Sequence, residues 1–206
     1  WGAGKRPTDS IGAATLDTYG AWEFDPNGPA VGGPAGRARM GDFIRFCPET
    51  QIAYWTDFRG PNRDGHYEES SINTNWKDGQ LPELWRQSVG GGYASVVVAE
   101  GRVFTIEQRR DREVVTAYDS ATGRELWAHG GETLFQEMMG GDGPRATPTW
   151  DDGRLFALGA AGELRALDAA TGELRWRTNI LADAGATNLQ WAMAAAPLVV
   201  DGMVVV

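Results

Sequence analysis

Arg145 stands three residues after Asp142 in "GDGPRATP", just past a Met-Met-Gly-Gly run. A guanidinium presents paired N–H donors that suit a carboxylate or a quinone oxygen, so the two residues could line a ligand funnel and bind a cofactor. The same pair could instead form a local ion pair that holds the glycine-rich loop. Other chemistry-bearing types are sparse. Cys47 is the one cysteine, which excludes an internal disulfide and a cysteine zinc site within these residues. His66 and His129 are the only histidines; they lie far apart without metal-ligand spacing, and read as surface or packing residues. No metal site is expected, and no catalytic residue can be named. Met138 and Met139 read as loop packing, and "RRDRE" (Arg109 to Glu113) as a solvated turn.

Bulk properties narrow the partners. The formal net charge of −9 repels phosphate backbones, and no basic stripe interleaves with aromatics, so nucleic acid is excluded. No apolar run approaches the roughly 18 residues that cross a bilayer as a helix. The chain begins at Trp1 and ends inside "DGMVVV", which reads as a partial chain. Any membrane association is expected through a segment outside these residues.

The elements that position Arg145 come from a repeat. The count of 28 glycines beside 9 tryptophans points to tight turns with flat side chains between repeated layers. "ASVVVAEGRVFTI" (Ala94 to Ile106) matches "ATPTWDDGRLFAL" (Ala146 to Leu158), and "AAPLVVDGMVVV" (Ala195 to Val206) begins a third copy. Each puts a glycine (Gly101, Gly153, Gly202) between two apolar β-branched runs, the pattern of a tight hairpin. A third strand follows, "REVVTAYD" or "ELRALD", and then a tryptophan-bearing fourth. A period of four strands near 49 residues suits a propeller blade.

"AYDSATGRELW" (Ala117 to Trp127) and "ALDAATGELRW" (Ala166 to Trp176) join the third and fourth strands. Asp119 and Asp168 can accept from backbone amides two or three residues on. Thr122 and Thr171 can add a second local bond, and Gly123 and Gly172 can take the left-handed conformation that ends the turn. Trp127 and Trp176 then fall at equivalent places on outer strands, where an indole between neighbouring blades is expected to be buried. The motif is read as structural.

The pattern A-x-D-x-x-T-G-x-x-x-W resembles the tryptophan-docking motif of PQQ-like (pyrroloquinoline-quinone-type) β-propeller repeats. That superfamily includes quinoprotein alcohol dehydrogenases and BamB-type envelope proteins. "DFRGPNRDG" (Asp57 to Gly65), "GGGYASVVVAEGRVFTIEQR" and "GDGPRATPTWDDGRLFALGAAGELRALD" add to the likeness. The resemblance implies an all-β propeller of seven or eight blades. Of these the chain would hold a closing strand around Trp85, two full blades and the start of a third. Residues 55–206 would form the repeats, incomplete at the C-terminal end, and residues 1–54 a mostly irregular Gly/Pro-rich arm pinned by Trp1, Trp22 and Phe24. From residue 82 on, strand should dominate, with at most a helical turn at Glu132 to Met139.

In quinone-binding relatives a cysteine pair precedes an arginine placed like Arg145. Here Met138, Met139, Gly140 and Gly141 stand upstream instead. Trp191 matches a position where relatives place an aromatic, and is read as core packing. The resemblance therefore implies a non-catalytic binding or scaffold module of the bacterial cell envelope, periplasmic or extracytoplasmic. It would take a protein or small-molecule ligand at a propeller face and no cofactor. The alternative is a dehydrogenase that uses PQQ with calcium to oxidise alcohols or sugars.

Overall fold

The computed structural model describes residues 14–16, 22–24, 54–67 and 83–206. The chain divides into two compact units, Trp1–Ala53 with Tyr67–Pro82, and Tyr54–His66 with Glu83–Val206. In the first, β1 (Ala14–Leu16) pairs antiparallel with β2 (Trp22–Phe24). Trp1, Cys47, the Gly/Pro stretch after Phe24 and the side chains of Trp22 and Phe24 lie outside the described residues.

The second unit is all-β, as the repeat predicts. Its first sheet runs β3 (Val97–Ala99), β4 (Arg102–Arg109), β5 (Arg112–Asp119) and β6 (Glu125–Gly130) in that order. The next repeats it as β7 (Thr149–Asp151), β8 (Arg154–Leu158), β9 (Glu163–Asp168) and β10 (Leu174–Asn179). β11 (Leu198–Val200) and β12 (Met203–Val205) form a third hairpin. These sheets are antiparallel propeller blades. Each first hairpin turns on two residues of positive φ, Glu100–Gly101, Asp152–Gly153 and Asp201–Gly202. Such turns match the right-handed twist of the paired strands. The one helix among the described residues is α1 (Ile180–Asp183), whose first turn donates to the Asn179 side chain. Glu132 to Met139 stays non-helical and ends in a turn. Trp85 lies in an extended stretch with no ladder partner of its own.

Alternation along the strands builds the core between blades. Phe104, Ile106, Val115 and Ala117 of the first sheet meet Leu155, Ala157 and Leu167 of the second, all buried. Burial of each large apolar side chain contributes roughly 1.5–3 kcal/mol, so this layer carries the blade contact.

First strands would leave one edge of unpaired backbone groups open. Residues 54–66 cover those edges. Trp55 exchanges both backbone hydrogen bonds with Val98 at 2.8 and 2.9 Å, and Trp150 N–H donates to the Thr56 carbonyl at 2.8 Å. Arg63 then donates to the carbonyls of Ala196 and Pro197 at 3.0 and 3.1 Å. Residues 55–63 thus tie together three successive repeats.

Candidate functional site

The meanders have two ends. At the first, the hairpin tips and the D-x-x-T-G turns satisfy themselves. Asp119 Oδ1 accepts from the Thr122 amide at 2.8 Å and its hydroxyl at 2.7 Å; Asp168 Oδ1 does the same with Thr171 at 2.9 and 3.0 Å. The Asp168 carboxylate also takes the Arg175 guanidinium at 2.6 Å. That hydrogen bond, ahead of those from Thr171, lowers its pKa to about 2. Bonds from Thr122 lower that of Asp119.

Gly123 and Gly172 hold φ of +70° and +75°, where a side chain is strained. They also admit an indole. A Cβ on Gly123 would stand 2.5 Å from the Trp85 ring, and one on Gly172 would stand 2.6 Å from the Trp127 ring. Trp85 Nε1 donates to the Ser120 carbonyl at 2.9 Å, and Trp127 Nε1 to that of Ala169 at 3.1 Å. Each tryptophan therefore rests on the turn of the following repeat. Trp176 departs from the expected burial: it is 42% exposed, touching Phe156 of its own sheet.

The other end carries the longer connections, and Arg145 lies there. Its NH1 donates to the Gly143 carbonyl at 2.6 Å and its NH2 to that of Gly141 at 2.9 Å. The guanidinium carbon sits 5.3 Å from the Tyr93 ring centroid and 4.9 Å from that of Phe135. Arg145 does hold the glycine-rich loop, but through carbonyls and ring faces and not through an ion pair. Asp142 Oδ1 instead accepts the Glu137 amide at 3.0 Å. The Glu137 carboxylate accepts from the amides of Met139 and Gly140, which lowers its pKa.

Three expectations need correction here. Met138 is fully exposed and Met139 80% exposed, so neither packs the loop. A hairpin-like bend that spends its polar groups on itself turns both thioethers outward. Trp191 is 47% exposed beside Gly140 and not in the core. Arg109 is no solvated turn residue: it clamps Glu107 at 2.8 Å, Glu125 at 2.6 Å and the Tyr118 hydroxyl at 2.8 Å.

Two carboxylates are buried: Glu107, which the sequence reading passes over, and Glu113, which it places in the solvated turn. Glu107 accepts from Thr116 and Tyr118 within the first blade. Glu113, fully buried, crosses to the second blade, where it accepts the Ala160 amide at 2.8 Å and lies 3.5 Å from the buried Arg165. Desolvation raises the Glu113 pKa and lowers that of Arg165. His129 is half-buried, and desolvation followed by the nearby Arg165 lowers its pKa. His66 is exposed beside Asp64. A buried pair of this kind roughly breaks even against its desolvation cost, but is costly to break.

The Arg145 loop does not present a ready seat for a quinone with calcium, because the arginine is turned back onto its own loop. Two of the five guanidinium N–H donors, one on each end nitrogen, go to carbonyls of its own loop, and its faces lie against Tyr93 and Phe135. Among the described residues, no three His, Cys, Asp or Glu side chains converge as a cation site.

The repeat, its turns and its first-strand edges define a PQQ-like β-propeller. The family model described as outer membrane protein assembly factor BamB matches residues 72–206, and the chain belongs to that family. Among solved structures, quinohaemoprotein alcohol dehydrogenase ADHIIG from Pseudomonas putida HK5 is 23% identical with a TM-score of 0.44, covering 58% of this chain and 17% of its own. The Comamonas testosteroni quinohaemoprotein alcohol dehydrogenase is 25% identical with a TM-score of 0.43, covering 57% and 17%. BamB from Moraxella catarrhalis is 17% identical with a TM-score of 0.33, covering 55% and 44%. This chain spans only about a fifth of the dehydrogenases' length and under half of that BamB. No curated protein matches the sequence.

Proposed function

We propose that the chain is part of a non-catalytic PQQ-like propeller of the bacterial cell envelope, a binding or scaffold module that holds a protein partner at the loop end of its blades. The observation that carries this reading is Arg145. One N–H of each end nitrogen donates to Gly143 or Gly141 of its own loop, and the guanidinium faces lie against Tyr93 and Phe135, which turns the group back onto the loop. The arginine acts as a clamp that shapes a surface. The extracytoplasmic location rests on the family description, which names an outer-membrane assembly factor. Within this reading, the rest of Trp85 and Trp127 on Gly123 and Gly172 docks successive blades, and keeps the loop end stiff.

The test is a titration of the full-length protein with PQQ and calcium, followed by the quinone absorbance and repeated with Arg145→Ala. No saturable binding at micromolar quinone is expected in either protein. Tight binding lost in the variant would make Arg145 a cofactor ligand. Tight binding kept in the variant would place a quinone elsewhere. Either outcome overturns the reading.

A further inference from the structure

Large apolar side chains stand exposed at the loop end. Met138 is 100% exposed, Met139 80%, Leu189 66%, Tyr93 63% and Trp191 47%. These side chains form one neighbourhood. A Cβ on Gly140 would touch the Trp191 ring at 3.3 Å, and one on Gly141 would meet the Tyr93 hydroxyl at 2.9 Å. Exposed apolar side chains that lie together mark interaction sites more often than isolated ones do.

The loop beneath is built, not slack. Arg145 holds the carbonyls of Gly141 and Gly143, Glu137 caps the amides of Met139 and Gly140, and Gly143 N–H donates to the Phe135 carbonyl at 3.1 Å. Two thioethers are thus presented on a fixed bend, and methionine adapts its shape to apolar partners at little cost.

Charge selects among partners. Between Gly131 and Gly143 stand Glu132, Glu137 and Asp142 with no basic residue, Arg145 just beyond them is turned inward onto the loop carbonyls, and Asp183 is the sole charge between Ile180 and Pro197. Glu137 and Asp142 also line, with Gln136 and Met138, a shallow recess of about 290 Å³. A lysine or arginine on an incoming segment meets carboxylates there, whereas an anionic membrane or acidic segment is repelled.

From this juxtaposition we infer that Met138, Met139 and Trp191 form the docking platform for a basic amphipathic helix of a partner protein, with its apolar stripe on the methionines and a basic side chain toward Glu137 and Asp142. The inference rests on the module reading above and adds the chemistry of the partner. An apolar helical stripe flanked by cations is the ligand that both features suit.

The probe is a synthetic 14-residue helix of leucine and lysine, titrated calorimetrically into the full-length protein beside its leucine–glutamate counterpart. The Leu/Lys helix should bind at least tenfold more tightly than the Leu/Glu helix. Met138→Ser with Met139→Ser should weaken it at least tenfold while the melting curve stays put. Asp142→Asn, which keeps the oxygen that accepts the Glu137 amide, should weaken it severalfold and flatten the salt dependence. Asp152→Asn at the turn end should bind as the unaltered protein does. Failure of the Leu/Lys helix to bind, equal binding of both helices, or binding indifferent to the methionine change would overturn the inference. So would preferential binding to phosphatidylcholine vesicles, which would make the patch a membrane contact. PQQ and calcium are titrated into the same samples. Quinone binding there would overturn the module reading, and peptide failure alone would overturn only the docking platform.

Discussion

The two ends of these blades solve opposite problems. At the turn end, Asp119, Thr122, Asp168 and Thr171 satisfy local amides, and Trp127 rests on the backbone of Gly172. Polar groups there are spent on joining repeats. At the loop end, Arg145 and Glu137 are likewise spent on the backbone, yet the bend they hold turns Met138 and Met139 to solvent. The same local chemistry thus makes a seam at one end and a surface at the other. A side chain's role follows from what its loop leaves uncovered.

The comparison can be broken by mutation, starting beneath the loop end. Glu113→Ala leaves the Ala160 amide without its acceptor and the buried Arg165 with Glu163, at 3.0 Å, as its remaining carboxylate, and should cost about 3–4 kcal/mol in chemical denaturation; Glu113→Ala combined with Arg165→Met should recover part of that loss. Recovery would show a pair kept for blade registry, and no recovery would show that the carboxylate's bond from Ala160 matters more.

At the seam, Trp127→Ala should cost about 3 kcal/mol, through lost packing on Phe104 and Gly172. Trp176→Ala, at the exposed counterpart, should cost less than about 1 kcal/mol. Equal losses would mean that the following turn contributes nothing.

Acid should act on the turns next. The Asp168 pKa is about 2 in the folded protein against an ordinary 3.8, so its contribution is complete above 3.8 and is lost as pH falls toward 2. Asp168→Asn should flatten the melting-temperature profile over that window. The smallest effect belongs to the platform: Met138→Ser and Met139→Ser should each change stability by under about 0.5 kcal/mol.

Much of the seam was legible in the sequence. Aspartate, threonine and glycine at fixed spacing specify a turn by local bonds alone, and the Glu-Gly and Asp-Gly pairs specify the hairpins. What was not legible depends on distance along the chain. Glu113 and Arg165 meet across two blades, 52 residues apart; Glu113 reads locally as part of a solvated turn, and Arg165 lies inside the strand "ELRALD". Arg63 reaches carbonyls more than 130 residues away. At the candidate site the place of Arg145 shortly before a first hairpin was readable, although the strand itself begins only at Thr149. The direction of its guanidinium was not, since "GDGPR" allows the side chain to turn outward to a ligand or back to its own carbonyls. The exposure of Met138, Met139 and Trp191 followed from that same unreadable bend.

Arg145 therefore decides the account, and its contribution to the ligand-free fold is the most direct measure. Charge-assisted bonds to two carbonyls with stacking on two rings should make Arg145→Ala lose about 2 kcal/mol in denaturant unfolding, with faster amide exchange confined to residues 137–143. An arginine kept for a ligand would behave otherwise. If the Arg145→Ala protein were as stable as the unaltered one, or more so, with that loop's exchange unchanged, the clamp would be refuted and the quinone-ligand reading would take its place.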